Sequence, residues 1–316
     1  MCRLKNYKCI FVFLCLLLMV TGCSRNTTEV DMKKEAPNST VEQTQYPKII
    51  HHLEGSTTID KKPERIATPY ISFVDYLAVL GVFPIAGQGI GTIQRNFPYL
   101  NELIKDHTII DLGQEVDIEK VLAVKPDLII AADDMSDKYE QLSKIAPTVI
   151  LPQAGDWRET LMQIGEIVGA EEKVREVLVD FDEKTARYKQ ELSKYSNETV
   201  LFTMYQGKEK FVTWDIERFE PFYNGLGLKP VPEAEKGGTI SLEGLGKLNP
   251  DHIFVVNNWQ TPIAGGVEKD LEHSAVWSSL NAVKNKQVYY LDDPSLPGPL
   301  ALAKIKGIED IYNALK

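Results

Sequence analysis

A handful of side chains stand out for what they could do together: Tyr70, Gln88, Arg95 and Asp133 in the first half of the chain, and Tyr205, Trp214, Arg218, Asn258 and Trp259 in the second. Guanidinium groups beside aromatic rings suit ligand recognition. The planar fork grips oxyanions, and the rings cover apolar surface. Arginine is scarce enough to weigh: past residue 46 the chain holds only Arg65, Arg95, Arg158, Arg175, Arg187 and Arg218. Arg65 opens an apolar run, and Arg175 and Arg187 fall on the polar face of a helical pattern, which leaves Arg95, Arg158 and Arg218. Arg95 and Arg218 fall in predicted loops near strand ends, one in each half, and Arg158 at the mouth of the long helical stretch; for Arg218 the surface alternative is that Glu217 or Glu220 holds it.

Catalysis has no comparable constellation. Beyond residue 23 there is no G-x-S-x-G elbow, H-E-x-x-H helix, phosphate-binding loop or cysteine, so the chain reads as a binding protein and not an enzyme. The five histidines, His51, His52, His107, His252 and His273, lack metal-ligand spacing, because adjacent side chains such as His51 and His52 point to opposite faces of a strand. Met135 and Met204 fall near strand ends, where a haem would want an axial ligand, but methionine more often fills cores. The expectation is therefore no cofactor and no metal coordinated directly by protein. A net charge of −10 and a pI near 5.2 argue against nucleic acid as a partner.

The four cysteines, Cys2, Cys9, Cys15 and Cys23, all lie in the first 23 of 316 residues. Arg3, Lys5 and Lys8 precede an apolar run of 11 residues, Ile10 to Val20. That is about half of the ~20 needed to span a bilayer as a helix, so the run reads as a secretory signal. Val20-Thr21-Gly22-Cys23 resembles the bacterial lipoprotein signal, which implies cleavage before Cys23 and lipidation of its thiol. Residues 1–22 would then be a signal peptide and 23–46 a lipidated Cys with a disordered polar tether, since that stretch has no apolar period. Cleavage removes three basic residues and no acidic one, taking the charge from −10 to −13. A body that acidic repels an anionic ligand on average, so any attraction must come from a few local arginines.

These side chains need elements to place them. From residue 47 short apolar runs alternate with helical patterns, the signature of α/β domains with largely parallel sheets. Strands are expected at 65–68, 84–86, 108–111, 127–131 and 148–151, then at 199–204, 210–214, 252–256 and 287–291. No strand signal interrupts residues 159–195, which read as one long amphipathic helix with Gly169 as the place for a break. The expected architecture is two Rossmann-like α/β lobes, 47–158 and 196–316, joined by one long helix at 159–195, with a ligand cleft between them. The candidate residues fall where strands end, the edge that lines clefts in open α/β sheets. An internal echo supports two similar halves: residues 117–130 match 241–254, pairing Glu119 with Glu243, Pro126 with Pro250, Asp127 with Asp251 and Ile129 with Ile253. Each copy reads as a capped helix with a first-turn Glu, followed by a Pro-Asp turn into a strand.

With these features the chain resembles the iron-siderophore substrate-binding lipoproteins of ABC importers. The resemblance rests on Pro63-Glu-Arg-Ile with Ala78-Val-Leu-Gly-Val-Phe-Pro, Ile118-Glu-Lys-Val-Leu-Ala-Val-Lys-Pro-Asp-Leu-Ile-Ile, Leu142-Ser-Lys-Ile-Ala-Pro-Thr-Val, and Trp277-Ser-Ser-Leu-Asn-Ala-Val-Lys-Asn-Lys-Gln-Val-Tyr. It implies a monomer tethered by lipid to the extracytoplasmic face of a cell membrane, Gram-positive by expectation. The monomer would deliver a ferric siderophore to permease subunits driven by a cytoplasmic ATPase. It also implies that Glu119 and Glu243 dock onto permease arginines, against the plainer role of offsetting helix dipoles. Trp214-Asp-Ile-Glu-Arg resembles the place where family members contact hydroxamate siderophores, so the implied ligand is a hydroxamate or mixed hydroxamate-carboxylate. A haem or cobalamin binder of the same fold is the nearer alternative and a surface-anchored hydrolase the more distant one.

Overall fold

Short continuous apolar runs such as Leu128–Ala132 are buried along their whole length, as strands covered on both faces must be. The computed structural model describes residues 46–316, so the signal, Cys23 and nearly all of the tether lie outside the described residues. A hairpin of β1 (Lys48–His52) and β2 (Gly55–Ile59) opens the chain. The first lobe is a five-stranded parallel sheet of β3 (Ile66–Thr68), β4 (Ala86–Gly87), β5 (Ile110–Asp111), β6 (Leu128–Ala132) and β7 (Thr148–Leu151), in the order β5-β4-β3-β6-β7. Between them run α1 (Ile71–Val79), α2 (Ile90–Asn96), α3 (Pro98–Ile104), α4 (Ile118–Ala123) and α5 (Tyr139–Leu142). The chain builds outward from β3 to β5, then returns to lay β6 on the other side of β3. The order of the strands therefore reverses between β3 and β6, the kind of place where open α/β sheets form a crevice at the carboxyl ends of their strands.

Residues 159–195 do not form one helix. Gly169 sits at φ 67°, ψ 45° and ends α6 (Trp157–Val168), with Ala170 N–H donating back to the Gly165 carbonyl. A left-handed residue closes a helix in this way, and glycine adopts it without a Cβ clash. The chain restarts as α7 (Glu171–Glu191), which alone makes the connection to the second lobe. The two helices touch closely: a Cβ added at Gly165 would lie 2.3 Å from Val174 Cγ2.

The second lobe holds β8 (Thr199–Gly207), β9 (Lys210–Asp215), β10 (Lys229–Pro230), β11 (Lys236–Ser241), β12 (His252–Val256) and β13 (Val288–Leu291). Its order is β11-β9-β8-β12-β13 with β10 beside the start of β8, and β9 runs against the other five. Helices α8 (Glu220–Tyr223), α9 (Leu242–Leu248), α10 (Val267–Leu271), α11 (Ala275–Ser279), α12 (Asn281–Lys284) and α13 (Ala301–Leu315) complete it. The internal echo has a structural meaning. Asp117 and Ser241 cap α4 and α9, accepting from Glu119 N at 2.8 Å and Gly244 N at 3.1 Å. Asp127 accepts from the Glu64 and Arg65 amides ahead of β3, and Asp251 from the Thr199 amide and hydroxyl that open β8. Each aspartate therefore registers its own strand against the strand paired beside it.

The lobes are also fastened side chain to helix. Asp75 of α1 is 2% exposed and accepts from Leu302 N at 3.0 Å, capping α13. Asp293, after β13, accepts from Tyr99 N at 3.0 Å, capping α3, and the Tyr99 hydroxyl donates to Asp310 of α13 at 2.9 Å. Each lobe thus supplies a cap for a helix of the other.

Candidate functional site

The crevice holds two chambers that share Arg218, Gly298 and Pro299. The first, about 290 Å³, is walled by Tyr70 and Phe97 from one lobe and by Trp214, Trp259 and Arg218 from the other. The second, about 550 Å³, runs past Trp157 at the start of α6 and is lined by Asp156, Asp215, Glu217 and Glu220 with Arg218 and Lys304. One chamber is aromatic with a single cation, and the other is rich in carboxylates.

Each wall residue is set by its local chain. Tyr70 leaves β3 as the N-cap of α1; its ring meets Phe73 edge-on at 4.8 Å, and its hydroxyl donates to the Gln153 carbonyl at 3.4 Å. Burial raises the pKa of its phenol, so the group stays neutral. Gln88 stands behind: its Oε1 accepts from Ile71 N at 3.1 Å and its Nε2 donates to the Gln114 carbonyl at 2.7 Å, which secures the start of α1. Trp259 follows β12 in a turn built by Asn258, whose Oδ1 accepts from Gln260 N and Thr261 N. The Trp259 carbonyl accepts from Asn96 Nδ2 at 2.6 Å and its ring lies 5.8 Å from Phe97, so this wall is stitched across the lobes. Trp214 is the penultimate residue of β9, and Asp215, the last, caps the turn that carries Arg218 by accepting from Glu217 N at 3.1 Å. Arg218 is half-buried; Nη1 donates to the Pro297 carbonyl at 3.1 Å, and burial lowers its pKa without threatening its charge.

Of the residues expected at the ligand, Tyr70, Trp214, Arg218 and Trp259 meet around one chamber, while Gln88 and Asn258 shape its walls from behind. Arg95 is not in a loop: it is exposed in the last turn of α2 and lines neither chamber. Tyr205 is 1% exposed in the core, with its hydroxyl donating to Asp270 at 2.6 Å. The reason is strand direction. Tyr205 pairs with Phe211 across an antiparallel hairpin, so Tyr205 and Trp214 lie three residues apart along it and cannot share an edge. Arg158 is held by Asp182 over the rings of Trp157 and Phe181. None of the five histidines lines either chamber, and Met135 and Met204 are buried in the core. Sequence reasoning missed the strap from Pro294 to Leu300, which floors the aromatic chamber; prolines at 294, 297 and 299 around Gly298 were the available signal.

Glu119 and Glu243 are both exposed, in the first turns of α4 and α9. The Glu243 carboxyl is held below the usual range by its own backbone N–H and the Ser241 hydroxyl.

Comparison with known proteins agrees with this geometry. The family model described as periplasmic binding protein matches residues 67–294. The iron(3+)-hydroxamate-binding protein YxeB of Bacillus subtilis is 26% identical, covering 95% of this chain and 94% of its own. The ferric-anguibactin-binding protein FatB of Vibrio anguillarum is 30% identical, with 87% of each covered. Staphylococcus aureus SirA, solved in complex with staphyloferrin B, superposes with a TM-score of 0.69 at 28% identity over 85% of this chain and 98% of SirA. A matched segment that takes in both lobes, and relatives aligned nearly end to end, place the chain in the periplasmic binding protein family.

Proposed function

We propose that this protein captures a ferric siderophore outside the cytoplasmic membrane and hands it to an ABC permease, and that the ligand is a hydroxamate or mixed hydroxamate-carboxylate complex. The observation that carries the ligand class is the aromatic chamber with its single guanidinium. A ferric trihydroxamate core is neutral and a tris-catecholate core trianionic. One fixed cation beside a chamber of four carboxylates favours the ligand of lower charge. The siderophore already wraps its iron in oxygens, so the protein supplies shape, ring surface and one oxyanion contact. The name of YxeB, which specifies iron(3+)-hydroxamate, agrees. Lipidation at Cys23 would tether the protein, and Glu119 with Glu243, one on each lobe, would meet basic residues of the permease.

Tryptophan fluorescence tests the ligand class, because Trp214 and Trp259 line the chamber. Ferrioxamine B, a ferric trihydroxamate, is expected to give saturable quenching at least about tenfold tighter than ferric enterobactin, a tris-catecholate. Preference for the catecholate would overturn the class, and no saturable quenching by these, ferric citrate, haem or cobalamin would overturn the function.

A further inference from the structure

Lys304 sits in the first turn of α13 and is only 3% exposed. Its Nζ donates to the Arg218 carbonyl at 2.9 Å and the Leu296 carbonyl at 3.3 Å, and lies 5.3 Å from the Phe222 ring centre and 5.8 Å from that of Phe219. Both hydrogen bonds end on carbonyls and neither on a carboxylate. Burying an ammonium without a close counter-ion is expensive, and a methionine of similar length would fill the space without that cost. The bonds show what the charge accomplishes. Lys304 ties the turn carrying Arg218 to the strap carrying Leu296, and Arg218 Nη1 returns to that strap at the Pro297 carbonyl. The three bonds form a closed circuit around the arginine.

We propose that Lys304 is a positioning residue for ligand recognition: it clamps the Arg218 turn to the 294–300 strap, so the guanidinium that meets the ligand is held in place before the ligand arrives. The inference rests on the reading of Arg218 as the ligand-facing cation. Preorganisation of this kind strengthens binding by reducing what must be ordered on association.

Lys304→Met and Lys304→Gln, the latter keeping one amide donor, are compared with Arg218→Ala. Lys304→Met is expected to weaken ferrioxamine B binding about tenfold, Lys304→Gln less. Added to Arg218→Ala, Lys304→Met should change Kd by no more than about twofold, because its effect passes through the arginine. In ligand-free protein labelled with ¹⁵N-arginine, the Arg218 Nη signals, identified by their loss in Arg218→Ala, should be separate in wild type and merged in Lys304→Met. Unchanged Kd with unmerged signals, or fully additive losses, would overturn the role. Failure of wild type to bind ferrioxamine B would remove the ligand reading alone, since the arginine signals still report the clamp.

Should neither variant fold, the wild type carries the test. Burial and the neighbouring Arg218 push the Lys304 pKa down to about 7, so its ¹³Cε signal and the Arg218 Nη signals should move with one midpoint. The charged groups around it are Arg218 and Asp75, with Asp293 beyond Asp75 and Asp156, Asp215, Glu217 and Glu220 along the second chamber. Asp75→Asn separates the nearest of these, and distinct midpoints in that variant would refute the clamp.

Discussion

Asp75 is a carboxyl group placed where charge is costly. Burial pushes its pKa up to about 7, against the amides of Leu302 and Ala301, which favour the carboxylate. A raised value means the folded protein binds the proton more tightly than the unfolded chain. The resulting stability is fully present below the ordinary carboxylate value near 3.8 and is lost as pH rises through about 7. Asp75→Asn keeps an oxygen for the Leu302 amide and cannot titrate. Denaturation curves from pH 4 to 8 should therefore fall less steeply in the variant than in wild type; parallel profiles would show that Asp75 does not titrate in that window. Trp214, Arg218 and Trp259 could be picked out from the sequence because rings and guanidinium groups beside predicted strand ends are few. Lys304 could not. In the sequence it is one lysine in the amphipathic pattern of the last helix, and only folding shows that it faces inward.

At the scale of elements, the buried parallel strands were readable because they are uninterrupted apolar runs, whereas β10 and β11 were not expected: one is two residues long and the other, Lys236–Ser241, is a mostly exposed polar edge strand. Tyr205 failed because choosing strand ends presumes a direction, and a hairpin reverses it. The helix at 159–195 failed differently. Its apolar spacing continues across the break, while Gly169 and the contact of Gly165 with Val174 depend on a turn that periodicity does not encode. That contact is testable. Alanine suits a helix better than glycine by about 1 kcal/mol, yet the Cβ of Gly165→Ala would press on Val174. Overpacking costs about 1–3 kcal/mol, so urea denaturation should show a net loss of stability, and a gain would mean that α6 and α7 are less tightly packed.

For the whole molecule, the two exposed glutamates mark equivalent places on lobes of similar build. A docking surface that uses both would need the lobes held at a fixed spacing, which α7 and the crossed caps supply. In cells that depend on this protein for uptake of a ferric trihydroxamate, Glu119→Arg with Glu243→Arg is expected to lower uptake at least about tenfold while leaving Kd for the ligand unchanged. Uptake at the wild-type rate would remove both residues from the docking surface.

The crossed caps carry one more consequence. The buried start of α13 takes its side-chain cap from Asp75 and the partly exposed start of α3 from Asp293, so each lobe relies on the other for a helix cap. Two units alike in layout, with an echo of shared sequence between them, have become mutually incomplete. A chain cut at α7 would yield two fragments, each with a helix start whose side-chain cap has been replaced by water, and only their reassociation would restore it.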